Sequence, residues 1–153
     1  MKYLVFALLL PVVCLLSGCD RLPRIEPSGA VIKVGFVGPQ QGVDQALGLE
    51  ALEGVLAAQV ILPLLNNGDR VEVISEDSGN DPDVTRQALQ KLVHEDGVSE
   101  LLLGLGSDEL LQVLQYTESL QTPVIALIAT HPGIVSDSTY ISQLCFDDST
   151  QGV

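Results

Sequence analysis

Ser107 and Thr130 are the residues whose chemistry and position most invite a role. Ser107 follows Leu101-Leu102-Leu103, and Thr130 follows the apolar run from Val124, so both hydroxyls sit where a strand hands over to a loop. A hydroxyl beside a helix N-terminus can share an anion with the free N–H groups of the first turn. The same two residues can equally serve as ordinary caps, of a helix for Ser107 and of a turn for Thr130. Other constellations carry less. Gly35, Gly38 and Gly42 miss the spacing of a dinucleotide loop. Gly104-Leu105-Gly106 meets Glu109 where the third glycine belongs, and a carboxylate there repels a pyrophosphate. Asp77, Asn80, Asp81 and Asp83 form an acidic turn without the bidentate glutamate of a calcium loop, and helix capping accounts for Asp81 and Asp83. There is no G-x-S-x-G elbow, Cys145 has no evident histidine partner, and His94 reads as a solvated residue near a helix end. His131 shares a loop with Thr130 but stands alone. The pattern implies neither a reaction, a cofactor nor a metal.

Composition narrows the partners. The 153 residues carry a formal charge of −13, which sets a like-charged field against nucleic acid and anionic membrane surfaces. Three Tyr, three Phe and no Trp leave little material for stacking bases or sugars. A hydrophobic content of 46% argues against disorder and for one domain with a real core.

The N-terminus speaks of compartment. Lys2 precedes an unbroken apolar run from Tyr3 to Leu16, shorter than the ~20 residues of a membrane span and suited to a signal-peptide core. It ends in Leu16-Ser17-Gly18-Cys19, which resembles the bacterial lipobox, where small residues precede a cysteine whose thiol accepts the lipid. Residues 1–18 are therefore expected to be a lipoprotein signal peptide, and residues 19–30 a lipidated tether, with Cys19 acylated and anchored in a membrane. Asp20 resembles the signal for retention at the inner membrane. Pro23 and Pro27 keep the tether extended.

Periodicity then places the elements. Val31–Val37 reads as a first strand, and Asp44–Asn66 as a long helix with a broad apolar face, mostly buried and frayed at Pro63. Arg70–Ser75 reads as a second strand. Asp81-Pro82-Asp83 opens a second helix whose buried stripe is Val84, Ala88, Leu89, Leu92 and Val93. Leu101–Leu103, a helix capped by Ser107 or Asp108, Pro123–Leu127 and Tyr140–Phe146 follow. Strand and helix alternate, which calls for an α/β fold with a doubly wound parallel sheet. With flavodoxin-like strand order, ligands sit beyond the carboxyl ends of the strands, at Gly38–Gly42, Gly104–Asp108 and Ala129–Pro132.

At this point the residues carry a family. Ile32–Val37 with Gly38-Pro39-x-x-Gly42, Glu76-Asp77-Ser78-Gly79-Asn80-Asp81-Pro82, Val124–Pro132 and Phe146–Gly152 resemble, in register, the N-terminal lobe of type I periplasmic binding proteins. The likeness is to the branched-chain amino acid receptors of ABC importers. That resemblance implies a small solute, such as an amino acid, held in a cleft between two lobes, and an ABC permease of the inner membrane as partner. It places Ser107, Ala129 and Thr130 around the ligand's polar end, with Gln40 and Gln41 on a third wall. Residues 31–153 would then be one lobe, truncated before the second, and weak or no ligand binding is expected of the chain alone. Asp108, Glu109, Leu127 and Ile128 depart from the family's small or hydroxylic residues. They favour an alternative, an envelope lipoprotein that acts through protein contacts or sensing without transport.

Overall fold

Five strands stand among the described residues: β1 (Val31–Gly38), β2 (Arg70–Asp77), β3 (Glu100–Leu103), β4 (Val124–Ala126) and β5 (Ile141–Gln143). In the computed structural model, which describes residues 29–151, they form a single parallel sheet in the order β2-β1-β3-β4-β5. This is the flavodoxin-like order that the alternation of elements predicts. Between the strands run α1 (Gln45–Ile61), α2 (Pro82–Lys91) and α3 (Ser107–Ser119), and a short α4 (Asp148–Gln151) follows β5.

Register decides which side chains meet. Gly35 pairs with Leu101, and Leu101 with Val124, so these residues share one face with Val37, Leu103 and Ala126. That face packs on Ala88 and Leu89 of α2, Leu92 just beyond it, and Leu110 and Val113 of α3, all buried. The opposite face carries Val34, Leu102 and Ile125, and α1 covers it over β1 and β2. No helix of the described residues is long and apolar enough to cross a membrane.

Local chemistry explains the ends of the elements. Asp81 caps α2 by accepting from the N–H groups of Asp83 (2.7 Å) and Val84 (3.3 Å), with Pro82 at the first helical position. After α2 the backbone widens into a π turn at Leu92–Asp96 and stops at Gly97 in the left-handed region. Lys91 pairs with Glu76 and Asp96 beside this turn.

Three expectations change. α1 stops at Ile61 rather than Asn66, because Pro63 disfavours helical backbone in the residue before it. The helix is also far from mostly buried. Gly48 and Leu52 alone are buried, while Leu47, Leu56, Val60 and Ile61 are 41–79% exposed, because α1 spans only part of its sheet face and no layer of the described residues lies above it. In α2, Thr85 is buried and Val84 is 41% exposed, so the buried stripe is turned by one position.

Candidate functional site

A cavity of about 430 Å³ lies at the carboxyl edge of the sheet. Its walls are the loop after β1 with the start of α1 (Pro39, Val43, Asp44, Leu47), the loop after β2 (Asn80, Pro82), the first turns of α3 (Gly106–Glu109, Gln112) and Ile128 after β4. β1 and β3 are neighbours whose connections leave in opposite directions, and their loops splay apart to leave a crevice there.

The loop after β1 is fixed by one carboxylate. Asp77, at the end of β2, accepts from the N–H of Gln40 (2.8 Å), the N–H of Gly79 (2.9 Å) and the side-chain amide of Gln41 (2.7 Å). Burial pushes the Asp77 carboxyl up, but these three donors outweigh it and hold the group below the usual carboxylate range. Gly42 closes the loop at φ +84°, and a Cβ there would meet Asn80 Oδ1 at 2.8 Å. The amide of Asn80, itself left-handed at φ 55°, donates to Asp44 Oδ2 (2.8 Å) and ties the loop after β2 to the start of α1. Asn80 Oδ1 is out of solvent and, among the described residues, accepts from no donor.

The second pair of walls is tied by a hydroxyl. Ser107 is the first helical residue of α3, not its cap; Gly106 holds the cap position, with no side chain bonded there. The Ser107 Oγ instead accepts from the N–H groups of Thr130 (3.0 Å) and His131 (3.2 Å), across from β3 to β4. His131 Nδ1 in turn accepts from Gly133 N–H (3.0 Å) and caps a short 3-10 turn at Pro132–Ile134. Asp108 and Glu109 occupy the first turn of α3, where they meet the positive end of its dipole. Glu109 also lies 2.8 Å from the hydroxyl of Thr85 on α2.

The residues singled out in the sequence are thus brought to one edge, with different standing. Ser107 lines the cavity and latches Thr130, whose carbonyl accepts from Asp148 N–H (2.9 Å). Ala129 is buried, its carbonyl accepting from the Gln143 amide (2.9 Å). Gln40 and Gln41 are drawn back onto Asp77, while Pro39, Val43 and Asp44 of the same loop face the cavity. Cys19 lies outside the described residues. Sequence reasoning missed Asp44 and Asn80 as wall residues and Asp77 as the loop's anchor. The Asp77-Ser78-Gly79-Asn80 run at the end of β2 was the available signal, and capping accounted only for Asp81 and Asp83 beyond it.

The comparisons with known proteins fit this architecture. Residues 31–152 match the family model described as periplasmic binding protein. A leucine-binding protein, LivK, of Thermotoga maritima aligns with a TM-score of 0.72 at 22% identity, covering 79% of this chain and 34% of its own. LivJ of Streptococcus pneumoniae, a branched-chain amino acid transporter substrate-binding protein solved with isoleucine, aligns at 0.69 and 21% identity, with 78% and 35% covered. An ABC-transporter solute-binding protein of Rhodopseudomonas palustris, solved with 3,4-dihydroxybenzoic acid, aligns at 0.70 and 23%, with 76% and 32% covered. The chain therefore spans about a third of the length of the structures that it matches. No curated protein sequence matches it. One doubly wound lobe with a crevice at its strand ends, matched to the family model over nearly its whole described length, places the chain in the periplasmic binding protein family.

Proposed function

We propose that this protein forms the N-terminal lobe of a lipid-anchored solute receptor that faces the periplasm and serves an ABC permease of the inner membrane. The carrying observation is the cavity at the β1/β3 edge, walled by the four loops that follow β1 to β4. A lobe of this kind supplies half of a ligand cleft; the bound solute bridges it to a second lobe, and closure is the state that a membrane partner can read. The function is binding without chemistry. Half a cleft leaves much of a ligand in water, so affinity for the lobe alone is expected near the millimolar range, where a few kcal/mol of contact survives the cost of association.

Two experiments test this reading. Radiolabelled palmitate should enter the wild-type chain and not Cys19→Ala; labelling of both, or of neither, removes the anchor. A titration of amino acids and aromatic acids, followed by amide NMR shifts, should move residues 106–109 and 128–130 in a saturable way. If no solute moves them, the cleft reading fails. The second reading, an envelope protein acting through protein contacts, is favoured by the apolar face that α1 leaves open over Leu102 and Ile125.

A further inference from the structure

The outer edge of β2 is open. The strand runs 8 residues in unbroken register with β1 and, among the described residues, has no neighbour on its other side. Proline, lysine or a bulge ordinarily blunts so long an edge, and β2 has none of these. β5, at the opposite edge, is only 3 residues long. The N–H of Arg70 donates to the Ala30 carbonyl and that of Ser78 to the Gly38 carbonyl (both 3.1 Å), so even-numbered residues give their backbone to β1. Val71, Val73 and Ser75 turn theirs to the free edge. There the Gln59 amide, on the Val71 carbonyl (2.7 Å), is their one partner among the described residues.

The charges along this edge are complementary to themselves. A two-fold axis through Val73 lays a second β2 antiparallel to the first, with Val73 opposite its own copy, Val71 opposite Ser75 and Arg70 opposite Glu76. The open N–H and carbonyl groups then bond one another, and symmetry makes the Arg70–Glu76 pair twice. An axis one residue away, at Glu72 or Ile74, sets Glu72 against its own copy or against Glu76. Arg70 is available for this. Lys33 is committed to the Asp96 carbonyl, Arg86 to Asp83 and the Gln112 carbonyl, and Lys91 to Glu76 and Asp96. The Arg70 guanidinium has no partner among the described residues, and Glu76 meets Lys91 through Oε1, which leaves Oε2 for a second donor.

The helix above the strand fits the same axis. Ala51, Val55, Ala58 and Leu62 line the side of α1 that faces β3 and β4. With ~3.6 residues per turn, the opposite flank carries Leu49, Leu56 and Val60, with Glu53 among them, and overhangs the edge of β2. Leu56 is 41% and Val60 79% exposed. Strands stand ~4.8 Å apart, so a helix seated over β1 and β2 lies ~5 Å from the axis, and two such helices run ~10 Å apart, a packing distance.

We propose that the partner at this edge is a second copy of the chain, joined β2 to β2 in a two-fold dimer with one ten-stranded sheet. The two α1 flanks close over the junction and cover Leu56 and Val60. The charge of −13 on each copy opposes the approach, but physiological salt screens it beyond ~8 Å. The dimer goes beyond the receptor reading and does not depend on it.

The test is oxidative cross-linking of the full chain in membranes, with Cys145→Ser as the parent. In the dimer, Arg70→Cys and Glu76→Cys in the same chain meet their counterparts across the axis within disulfide reach. In either single variant the two thiols stand ~20 Å apart, far beyond the ~7 Å limit. The double variant should give a thiol-reducible dimer about tenfold more abundant than either single one gives. Ser75→Pro, added to it, removes an N–H that its own sheet does not use and should abolish the link. Slow amide exchange at Leu101 and Leu103 checks that this variant is folded. Val60→Glu, at an exposed position, should lower the yield about tenfold without touching the strand. No link in the double variant, or equal links in the single ones, would overturn the dimer. A link that survives both Ser75→Pro and Val60→Glu would overturn this interface.

Discussion

Asp77 and Ser107 hold the same kind of post on opposite walls of the cleft, one acceptor gathering several backbone donors across a gap in sequence. Removing such an acceptor strands its donors, which costs more than the bond itself contributed. Asp77→Ala is expected to lower stability by about 1–2 kcal/mol in denaturant titration and to speed amide exchange at Gln40 and Gly79. The pH dependence follows from the direction of its shift. Because hydrogen bonding holds the folded group below its ordinary range, its contribution is fully present above the unfolded-state value and fades as pH falls through the lower folded value. The stability lost on acidification below about pH 4 should therefore be smaller in Asp77→Ala than in the wild type. Equal acid sensitivity would count against the anchor. Ser107→Ala should cost about 1 kcal/mol and raise exchange at Thr130 and His131, whereas a mere helix cap would leave those two amides unmoved.

At the scale of the element, α1 offers two glycines with opposite expected outcomes. A Cβ on Gly48 would stand 2.0 Å from the carbonyl oxygen of Pro39, so the helix rests on the loop after β1 through bare backbone. Gly54, nearly two turns on, has nothing among the described residues within 4 Å of that position. Alanine gains up to about 1 kcal/mol over glycine inside a helix. Gly54→Ala should show most of that gain. In Gly48→Ala the overlap forces the helix off β1, and overpacking of about 1–3 kcal/mol outweighs the propensity. Thermal melts of the pair decide the matter: a stabilised Gly48→Ala would mean that α1 does not seat as described. Elsewhere Glu118 of α3 holds the approach to β5, accepting from the Ser138 hydroxyl and from Thr139 and Tyr140 N–H (3.2 and 3.1 Å). The Ser138 hydroxyl, with these amides, depresses its carboxyl despite burial. Helix α3 thus secures both the cavity wall at its start and the last strand at its end.

For the whole molecule, the unequal clothing of the sheet is the dominant physical fact. Two helices cover one face; the other has α1 and beside it an apolar groove of about 600 Å³, floored by Leu102 and Ile125 and rimmed by Leu62, Leu65 and Leu144. Both faces of a parallel sheet are ordinarily covered. Such a surface should bind a fluorescent apolar dye in the folded state and promote association as salt screens the charge of −13. Leu144→Glu and Leu62→Glu, at positions 71% and 68% exposed, should reduce dye binding and association in light scattering while changing stability by less than about 0.5 kcal/mol. A large loss of stability would show these side chains to be core after all.

The fold was legible because its signals are local. Apolar runs, a proline after an aspartate and alternating strand and helix state the elements and their parallel order, and the family's motifs stood in register along them. Ser107 and Thr130 could be placed at one edge for the same reason, since strand order alone brings the loops after β3 and β4 together. What each loop residue does was not local. Gln40 and Gln41 turn onto Asp77, Ala129 goes inward and Asn80 reaches Asp44, each through contacts between residues 14 to 37 positions apart. The exposure of α1 was equally hidden, because a helix with a broad apolar face announces burial, and only the tertiary arrangement says how much of it finds a partner. Local chemistry determined the elements; long-range contacts decided which of their side chains face the cleft.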